Sequence, residues 1–108
     1  AESLKDIVRE AEPLDHKSII AACAGAYGLR PDDLTSERRT KRVALARQVA
    51  MYIMRTKMGL SLKEIGFYFG GKDHTTVMHA LAKVEQMRTK DQVFEAQLSR
   101  LLQSTTSG

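Results

Sequence analysis

The stretch GGKDHTTVMHA, residues 70–80, places a carboxylate, an imidazole and two hydroxyl groups at the start of a predicted helix. Histidine and threonine contribute little to helix stability, so their presence in a first turn favours a binding role. In helix-turn-helix proteins, the N-terminal residues of the second helix reach base edges in the major groove of DNA. These side chains therefore predict a helix tip that reads a nucleic acid.

Each polar side chain of this tip has a chemical partner on a DNA duplex. The carboxylate of Asp73 can accept from the N4 amino group of cytosine, and the methyl group of Thr75 can pack on the thymine methyl group. The imidazole of His74 can donate to a purine N7 or to thymine O4. Thr76 can donate to a phosphate at the positive end of the helix. We also expect Asp73 to cap the helix, and capping alone is the competing explanation for that residue.

A second polar cluster, ERRTKRVALAR, lies at residues 37–47. Its cations lie at the N-terminus of a predicted long helix, where the helix dipole is positive. Each cation there lowers the stability of the helix by roughly 0.3–1 kcal/mol. This arrangement favours an external anion, and arginine in an extended loop suits a narrow minor groove. The residues of this loop and of the outer side of the helix that point to the same partner are Arg38, Arg39, Lys41, Arg42, Arg47, Gln48 and Arg55.

The charge of the chain is unevenly distributed. Between Arg38 and Lys90 there are 12 basic and three acidic residues, which give this segment a net charge of +9. The whole chain carries only +4, so the remainder is acidic. An asymmetry sustained over half a chain favours a polyanionic partner over an ordinary solvated surface.

Two motifs that imitate enzyme or metal sites can be set aside. GFYFGGK, residues 66–72, matches the first seven positions of a phosphate-binding loop, but Asp73 stands where a serine or threonine must bind magnesium. His74 and His79 are five residues apart, about 140° around a helix, whereas a zinc pair needs a spacing of four. We therefore expect a binding domain, without catalytic activity and without a metal.

Apolar residues recur with a period of 3.6 along the chain, which predicts an all-α fold of about six helices. A glycine turn separates a helix from Ser61 to Phe69 from a second helix from Asp73 to Arg88, and this pair predicts a helix-turn-helix. Gly66 is expected on the inward face of the first helix, so that the second helix can cross closely. The long helix is expected from Lys41 to Lys57. Its inward residues are Val43, Ala46, Val49, Ala50, Ile53 and Met54, and the last helix carries Val93, Phe94, Leu98, Leu101 and Leu102.

At 108 residues the chain is long enough for one domain. Its single cysteine, Cys23, rules out an intrachain disulfide, and no apolar run is long enough to span a membrane. A cytoplasmic location fits both observations. Residues 1–14 read as a helical connector to an upstream module, residues 15–103 as the domain and residues 104–108 as a polar tail. A complete small protein is the alternative.

Three segments together resemble one known family. GGKDHTTVMHALAKVEQ, SLKEIG and RRTKRVALARQVAMY resemble parts of the C-terminal DNA-binding domain of DnaA, the bacterial chromosomal replication initiator. The resemblance extends from about Asp15 to Leu102. It implies binding of a short double-stranded DnaA box at replication origins. It also implies that residues 1–14 follow an ATP-binding AAA+ module that is absent here, so that ATP belongs to that module and this domain has no cofactor.

The resemblance also assigns roles to individual residues. It places Arg39 in the minor groove and assigns base contacts in the major groove to Asp73, His74 and Thr75. Lys63 stands where the family often has a proline that touches a thymine methyl group, so a phosphate contact is expected in its place. The further phosphate contacts that the resemblance implies are Thr40, Lys41, Arg47, Gln48, Arg55, Ser61, Thr76 and His79.

Two other interpretations remain open. A helix-turn-helix transcription regulator of another family would usually dimerise on a palindrome, but the chain has no spare apolar helix for a dimer. A helical protein-interaction module would bind an acidic protein through the basic face. We expect a monomeric domain in a bacterial cytoplasm, associated with the nucleoid, whose intact protein oligomerises on origin DNA through the missing module.

Overall fold

The structure is a computed structural model that describes residues 15–36 and 40–105. Within these two ranges every regular element is a helix, which confirms the predicted all-α fold. The predicted connector helix at 1–14, residues 37–39 of the basic loop and the last three residues of the tail lie outside the described residues. The elements are α1 (His16–Ala26), α2 (Pro31–Thr35), α3 (Lys41–Ile53), a π-helical turn (Met54–Met58), α4 (Leu62–Tyr68), α5 (His74–Lys90) and α6 (Gln92–Ser104).

Helix α3 is central to the core because it packs against α1, α2 and α5. Thr40 is the N-cap residue of this helix, and its hydroxyl oxygen accepts a hydrogen bond from the Val43 N–H at 3.2 Å. All of the inward residues predicted for the long helix are buried, which confirms its orientation. Apolar side chains from α1, α5 and α6 complete the core, among them Ile19, Cys23, Val77, Val84, Phe94 and Leu98.

The long helix departs from the prediction in its last turn. We expected one α-helix to Lys57, but the α-helix ends at Ile53 and a π-helical turn follows. The Gly59 N–H donates to the Arg55 carbonyl at 3.2 Å, and the Arg55 Nη1 donates to the Leu60 carbonyl at 2.6 Å. Met54, the first residue of the π-helical turn, is fully buried. The predicted bounds of the long helix therefore agree with the structure to within one residue, and only the π-helical form of its last turn was not predicted.

The turn of the helix-turn-helix is organised by one carbonyl group. The Gly66 carbonyl accepts hydrogen bonds from the N–H groups of Phe69, Gly71 and Lys72, at 3.1, 3.0 and 2.9 Å. Gly70 and Gly71 have φ angles of +84° and +79°, a region that glycine enters without the clash a Cβ would cause. The predicted glycine break is confirmed, and it lies between α4 and α5.

Gly66 has the packing role that the sequence indicates, although the closest neighbour is different. A Cβ at Gly66 would collide with the carbonyl oxygen of Lys72, whereas it would lie 3.5 Å from Cγ2 of Val77 on α5. The absence of a side chain at Gly66 thus makes room mainly for the backbone of the turn at Lys72. Helix α5 lies further from this position than the turn does.

Helix α6 shows one error in the predicted apolar stripe. Phe94 and Leu98 are buried, whereas the relative solvent exposure of Val93 is 68%. Val93 lies about 100° around the helix from Phe94, so the two cannot share a narrow stripe. The Asp91 carboxylate accepts from the N–H groups of both residues, at 3.0 and 3.1 Å, which sets the start of the helix there.

A polar network joins α3, α5 and α6 at the far end of α5. Arg88 donates through Nε and Nη2 to the two carboxylate oxygens of Glu95, at 2.5 and 3.1 Å, and through Nη1 to the Tyr52 hydroxyl. Tyr52 in turn donates to Glu85 at 2.9 Å. The hydrogen bonds from Arg88 lower the pKa of Glu95 below its ordinary value. This network holds the C-terminal half of α5 against its neighbours.

Candidate nucleic-acid interface

The polar residues predicted at the tip of α5 are brought to the surface together. Asp73 is the N-cap residue and His74 the first residue of the helix, and their side chains are 69% and 64% exposed. Thr75 is half-buried, and Thr76 and His79 are exposed. The glycine turn sets this tip apart from α4, so that its side chains project away from the core.

The sequence predicted that the Asp73 side chain caps α5 through a hydrogen bond, and this prediction was wrong. Asp73 occupies the N-cap position, but its side chain makes no capping hydrogen bond to any residue that the structure describes. Its Oδ1 instead lies 3.3 Å from the Nδ1 of His74. The carboxylate has turned towards the imidazole, so both side chains remain at the surface of the tip.

A groove of about 410 Å³ runs between α3 and α5 beside this tip. It collects four residues that were predicted to contact phosphate, namely Arg47, Gln48, Thr76 and His79. Its remaining lining residues are Ala44, Met51, Lys72, Ala80 and Lys83, so the part of the chain that the structure describes contributes no carboxylate to its walls. A groove with three cations and no acid attracts anions.

Lys72 and Lys83 belong to this groove and were missed by the sequence analysis. Lys83 follows Thr76 by seven residues and His79 by four, a spacing that places the three on one helical face. That periodicity could have identified Lys83. Lys72 precedes Asp73 in the turn, where no helical period applies, and only the fold brings it to the groove.

Arg47 has a set of contacts that its sequence position does not indicate. Its Nε donates to the Leu34 carbonyl at 2.8 Å, and its Nη2 donates to the carbonyls of Ser36 and Asp33 at 2.9 and 3.4 Å. The side chain therefore reaches from α3 to the end of α2 while it also lines the groove.

The described residues of the basic loop lie at the start of α3. The hydroxyl oxygen of Thr40 caps the helix, and the side chain of Lys41 is exposed at its first position. Arg38 and Arg39 lie outside the described residues, so the predicted minor-groove contact of Arg39 stays a prediction.

A separate group of predicted phosphate-contacting residues surrounds the N-terminus of α4. Ser61 and Glu64 form a reciprocal cap, in which the Ser61 hydroxyl oxygen accepts from the Glu64 N–H at 3.1 Å and the Glu64 carboxylate accepts from the Ser61 N–H at 2.9 Å. These bonds lower the pKa of Glu64 below its ordinary value. Lys63 is exposed beside them, and Arg55 bonds the carbonyl of Leu60 just before the cap.

Membrane-spanning helices and metal clusters are both absent from the described ranges. No helix within residues 15–36 and 40–105 combines the length and the hydropathy needed to cross a membrane. The same residues hold no group of three or more histidine, cysteine, aspartate or glutamate side chains that could bind a metal ion.

Helices α4 and α5, joined by the glycine turn and flanked by a basic groove, define a helix-turn-helix domain. A sequence profile described as the bacterial DnaA protein helix-turn-helix matches residues 3–84, most of the chain. The chain therefore belongs to the family of bacterial DnaA helix-turn-helix domains.

Similar proteins agree with this family assignment. Two proteins named chromosomal replication initiator protein DnaA, from two strains of Thermus thermophilus, are each 42% identical to the chain over 110 residues. The matches cover 98% of this chain but 24% of each relative, so the chain spans about a quarter of their length. A crystal structure described as that of a DNA replication initiation factor superimposes on this chain with a TM-score of 0.75 and 33% sequence identity. The superposition covers 96% of this chain and 32% of the other chain.

Proposed function

We propose that this domain binds double-stranded DNA sequence-specifically, at DnaA boxes of a bacterial replication origin. The observation that carries the proposal is the joint exposure of the α5 tip beside a groove lined by cations. Family membership, and the names of relatives that act in replication initiation, support this choice.

The tip of α5 supplies the proposed base contacts in the major groove. Asp73 accepts from a cytosine amino group, His74 donates to a base acceptor and Thr75 packs on a thymine methyl group. The exposure of the first two side chains supports these roles, because neither must break a buried interaction to reach a base. Arg39 is proposed to enter the adjacent minor groove.

The groove beside α5 is proposed to follow the DNA backbone. Phosphate contacts hold a protein in register on the duplex without reading its sequence. Lys72 and Lys83 join the set because they line the same groove as Thr76 and His79. The other residues proposed to contact phosphate are Thr40, Lys41, Arg47, Gln48, Arg55, Ser61 and Lys63.

The remaining proposals concern the setting of the domain. The domain acts as a monomeric binding module without catalysis or a cofactor of its own. In the intact protein an upstream AAA+ module binds ATP and drives oligomerisation on origin DNA, and the protein works in the bacterial cytoplasm at the nucleoid.

A fluorescence-anisotropy titration of a DnaA-box duplex and a shuffled duplex, at several salt concentrations, tests the function. His74→Ala should weaken binding to the box by roughly 1–3 kcal/mol and reduce the preference over the shuffled duplex, because a base contact is lost. Lys83→Ala should weaken binding to both duplexes and lower the salt slope by about one unit, because a phosphate contact is lost. Arg100→Ala is the matched control, since that cation lines a different surface groove with α1 residues.

The same titration separates the competing interpretations. Equal affinity of the wild-type domain for both duplexes would refute sequence-specific recognition. Gel filtration with and without duplex DNA adds the stoichiometry: one protein per box supports the proposal, a protein dimer on a palindrome supports an unrelated regulator, and no complex supports a protein-interaction module.

A further inference from the structure

We infer that Met78 is a further specificity-determining residue, which contacts a thymine methyl group in the major groove from the second turn of α5. This inference rests on the proposed binding of a DNA duplex by the α5 tip, and it adds a base contact that the sequence analysis did not assign. The contact is apolar, so it differs in kind from the hydrogen bonds proposed for Asp73 and His74.

Met78 differs from the other large apolar residues of α5 because it faces solvent. Its relative solvent exposure is 47%, whereas the preceding residue, Val77, is fully buried. The residues that bury α5 in the core are Val77, Ala80 and Val84, which repeat at spacings of three and four. Met78 lies about 100° around the helix from Val77. It is therefore outside the stripe of α5 that packs into the core.

The geometry of the helix brings Met78 beside two tip residues that are proposed to contact bases. Met78 follows His74 by four residues and Thr75 by three, so it lies about 40° from the first and about 60° from the second around the axis. Viewed along the axis, it lies between the two, one turn further from the end of the helix. Helices in the major groove present successive base-contacting side chains at the same spacings of three and four.

The chemistry of a methionine side chain suits a methyl group on DNA. The 5-methyl group of thymine projects into the major groove, where apolar side chains contact it, and the other bases present hydrogen-bonding groups there. Methionine is unbranched and flexible, so its thioether can adjust to fill the space beside such a group. Burial of both apolar surfaces is favourable. Binding to DNA would thus cover a side chain that is exposed in the free domain.

The surroundings of Met78 favour a DNA groove over the apolar surface of a protein partner. The other exposed side chains between residues 74 and 83 are His74, Thr76, His79, Ala82 and Lys83. A protein interface usually marks itself by a contiguous apolar patch, and one methionine among polar side chains does not form such a patch. A major groove instead presents single methyl groups among hydrogen-bonding base edges, which matches this pattern.

Met78 should contact a different base pair from Thr75. A helix rises about 1.5 Å per residue, so Met78 lies about 4.5 Å further along α5 than Thr75. Stacked bases on one strand are about 3.4 Å apart. Side chains one turn apart on a helix that lies in the groove therefore contact neighbouring base pairs. The methyl contact of Met78 and that proposed for Thr75 should fall on different thymines.

The test removes the methionine and the thymine methyl groups separately. Each thymine of a DnaA-box duplex is replaced in turn by deoxyuridine, which lacks only the 5-methyl group, and fluorescence anisotropy gives the affinity of the wild type and of Met78→Ala. At one thymine the replacement should weaken wild-type binding about fourfold, the effect of one buried methyl group. The same replacement should leave Met78→Ala nearly unaffected. Thr75→Ser should keep the sensitivity at this thymine and lose it at another.

Further variants separate a base contact from other effects of the substitution. Val93→Ala is the matched control, because Val93 is an exposed apolar residue on α6, and it should keep both the affinity and the pattern of deoxyuridine sensitivity. Met78→Leu keeps an apolar side chain and should retain the sensitivity, whereas the polar Met78→Gln should lose it. Met78→Ala should melt within about 4 °C of the wild type, because the side chain is exposed. Its salt slope should be unchanged, because no charge is lost.

The outcomes distinguish the inference from the proposed function. The inference alone would be overturned if the wild type prefers the DnaA box and Met78→Ala binds the box as tightly, or keeps its sensitivity to deoxyuridine at every thymine. A loss of the same factor on the box and on the shuffled duplex would also overturn it, since such a contact would not depend on a base. Equal affinity of the wild type for both duplexes would refute the proposed function, and the base contact of Met78 with it.

Discussion

Replacement of Gly66 by alanine tests how the turn of the helix-turn-helix is built. The added Cβ would meet the carbonyl oxygen of Lys72, a backbone atom that no side-chain rotation can move aside. The turn would have to move away from the added Cβ. This movement would lengthen the hydrogen bonds from the N–H groups of Gly71 and Lys72 to the Gly66 carbonyl, which are now 3.0 and 2.9 Å. We expect a net loss of stability.

The expected size follows from three opposing contributions. Alanine in place of glycine favours a helix by about 1 kcal/mol. Overpacking costs roughly 1–3 kcal/mol, and two weakened hydrogen bonds cost roughly 0.5–1.5 kcal/mol each. The balance for Gly66→Ala is a destabilisation of roughly 3 kcal/mol. For a domain of this size that lowers the melting temperature by roughly 12–24 °C.

The chain offers a matched control for this substitution at Gly25. Gly25 also lies in a helix, but a Cβ there would have no neighbour within 4 Å. Gly25→Ala should therefore be neutral or stabilise the domain by about 0.5–1 kcal/mol. Thermal melts followed by far-ultraviolet circular dichroism, which reports helix content, measure both variants under identical conditions.

The two substitutions should shift the melting temperature in opposite directions. A Gly66→Ala variant that melts at or above the wild-type temperature would show that the turn can move away without cost. The role of Gly66 as the residue that admits the turn backbone would then be refuted. Because the turn leads directly into Asp73 and His74, Gly66→Ala should also reduce the preference for the DnaA-box duplex.

Two further predictions concern a cap and an ion pair. Ser61→Ala should lower stability by about 1 kcal/mol through loss of the α4 cap, whereas Ser61→Asp keeps the cap acceptor and should weaken DNA binding by repelling a phosphate. Thermal melts and anisotropy measure these effects, and unchanged DNA affinity of Ser61→Asp would remove Ser61 from the phosphate set. The hydrogen bonds from Arg88 lower the pKa of Glu95. The stability that this pair contributes is therefore fully present above pH 4.5, the ordinary pKa of glutamate, and is lost as the pH falls through the lowered pKa. Melts recorded at decreasing pH should therefore show a smaller acid-induced loss in Glu95→Gln, and equal losses in both proteins would contradict the role of the pair.

The sequence predicted the helix-turn-helix because its signals are local. Glycines at 70 and 71 break the chain, and apolar residues follow a helical period on both sides of the break. Each of these signals involves residues a few positions apart, so no tertiary information is needed to read them. The structure confirms the glycine break, and it shows a cap at Ser61, the predicted start of the first helix.

The sequence did not predict the hydrogen-bond partners of side chains that can bond either to a neighbour in sequence or to a distant residue. Asp73 has the sequence position of a cap, but its carboxylate lies near His74 instead. Arg47 reads as an outward cation on a basic helix, yet it reaches carbonyls 11 to 14 residues away. Such choices depend on which acceptors the fold brings within reach, and no helical period encodes them.

The sequence by itself determined the helices, the glycine turn and the placing of Asp73, His74 and Thr75 at a helix tip, because hydrophobic period, turn residues and capping act over a few residues. Only the tertiary structure decided that Lys72 and Lys83 share a groove with residues of α3, and that Arg47 fastens the end of α2. The physical reason is that both depend on how α2, α3 and α5 pack, which is set by the shape of a core assembled from residues far apart in the chain.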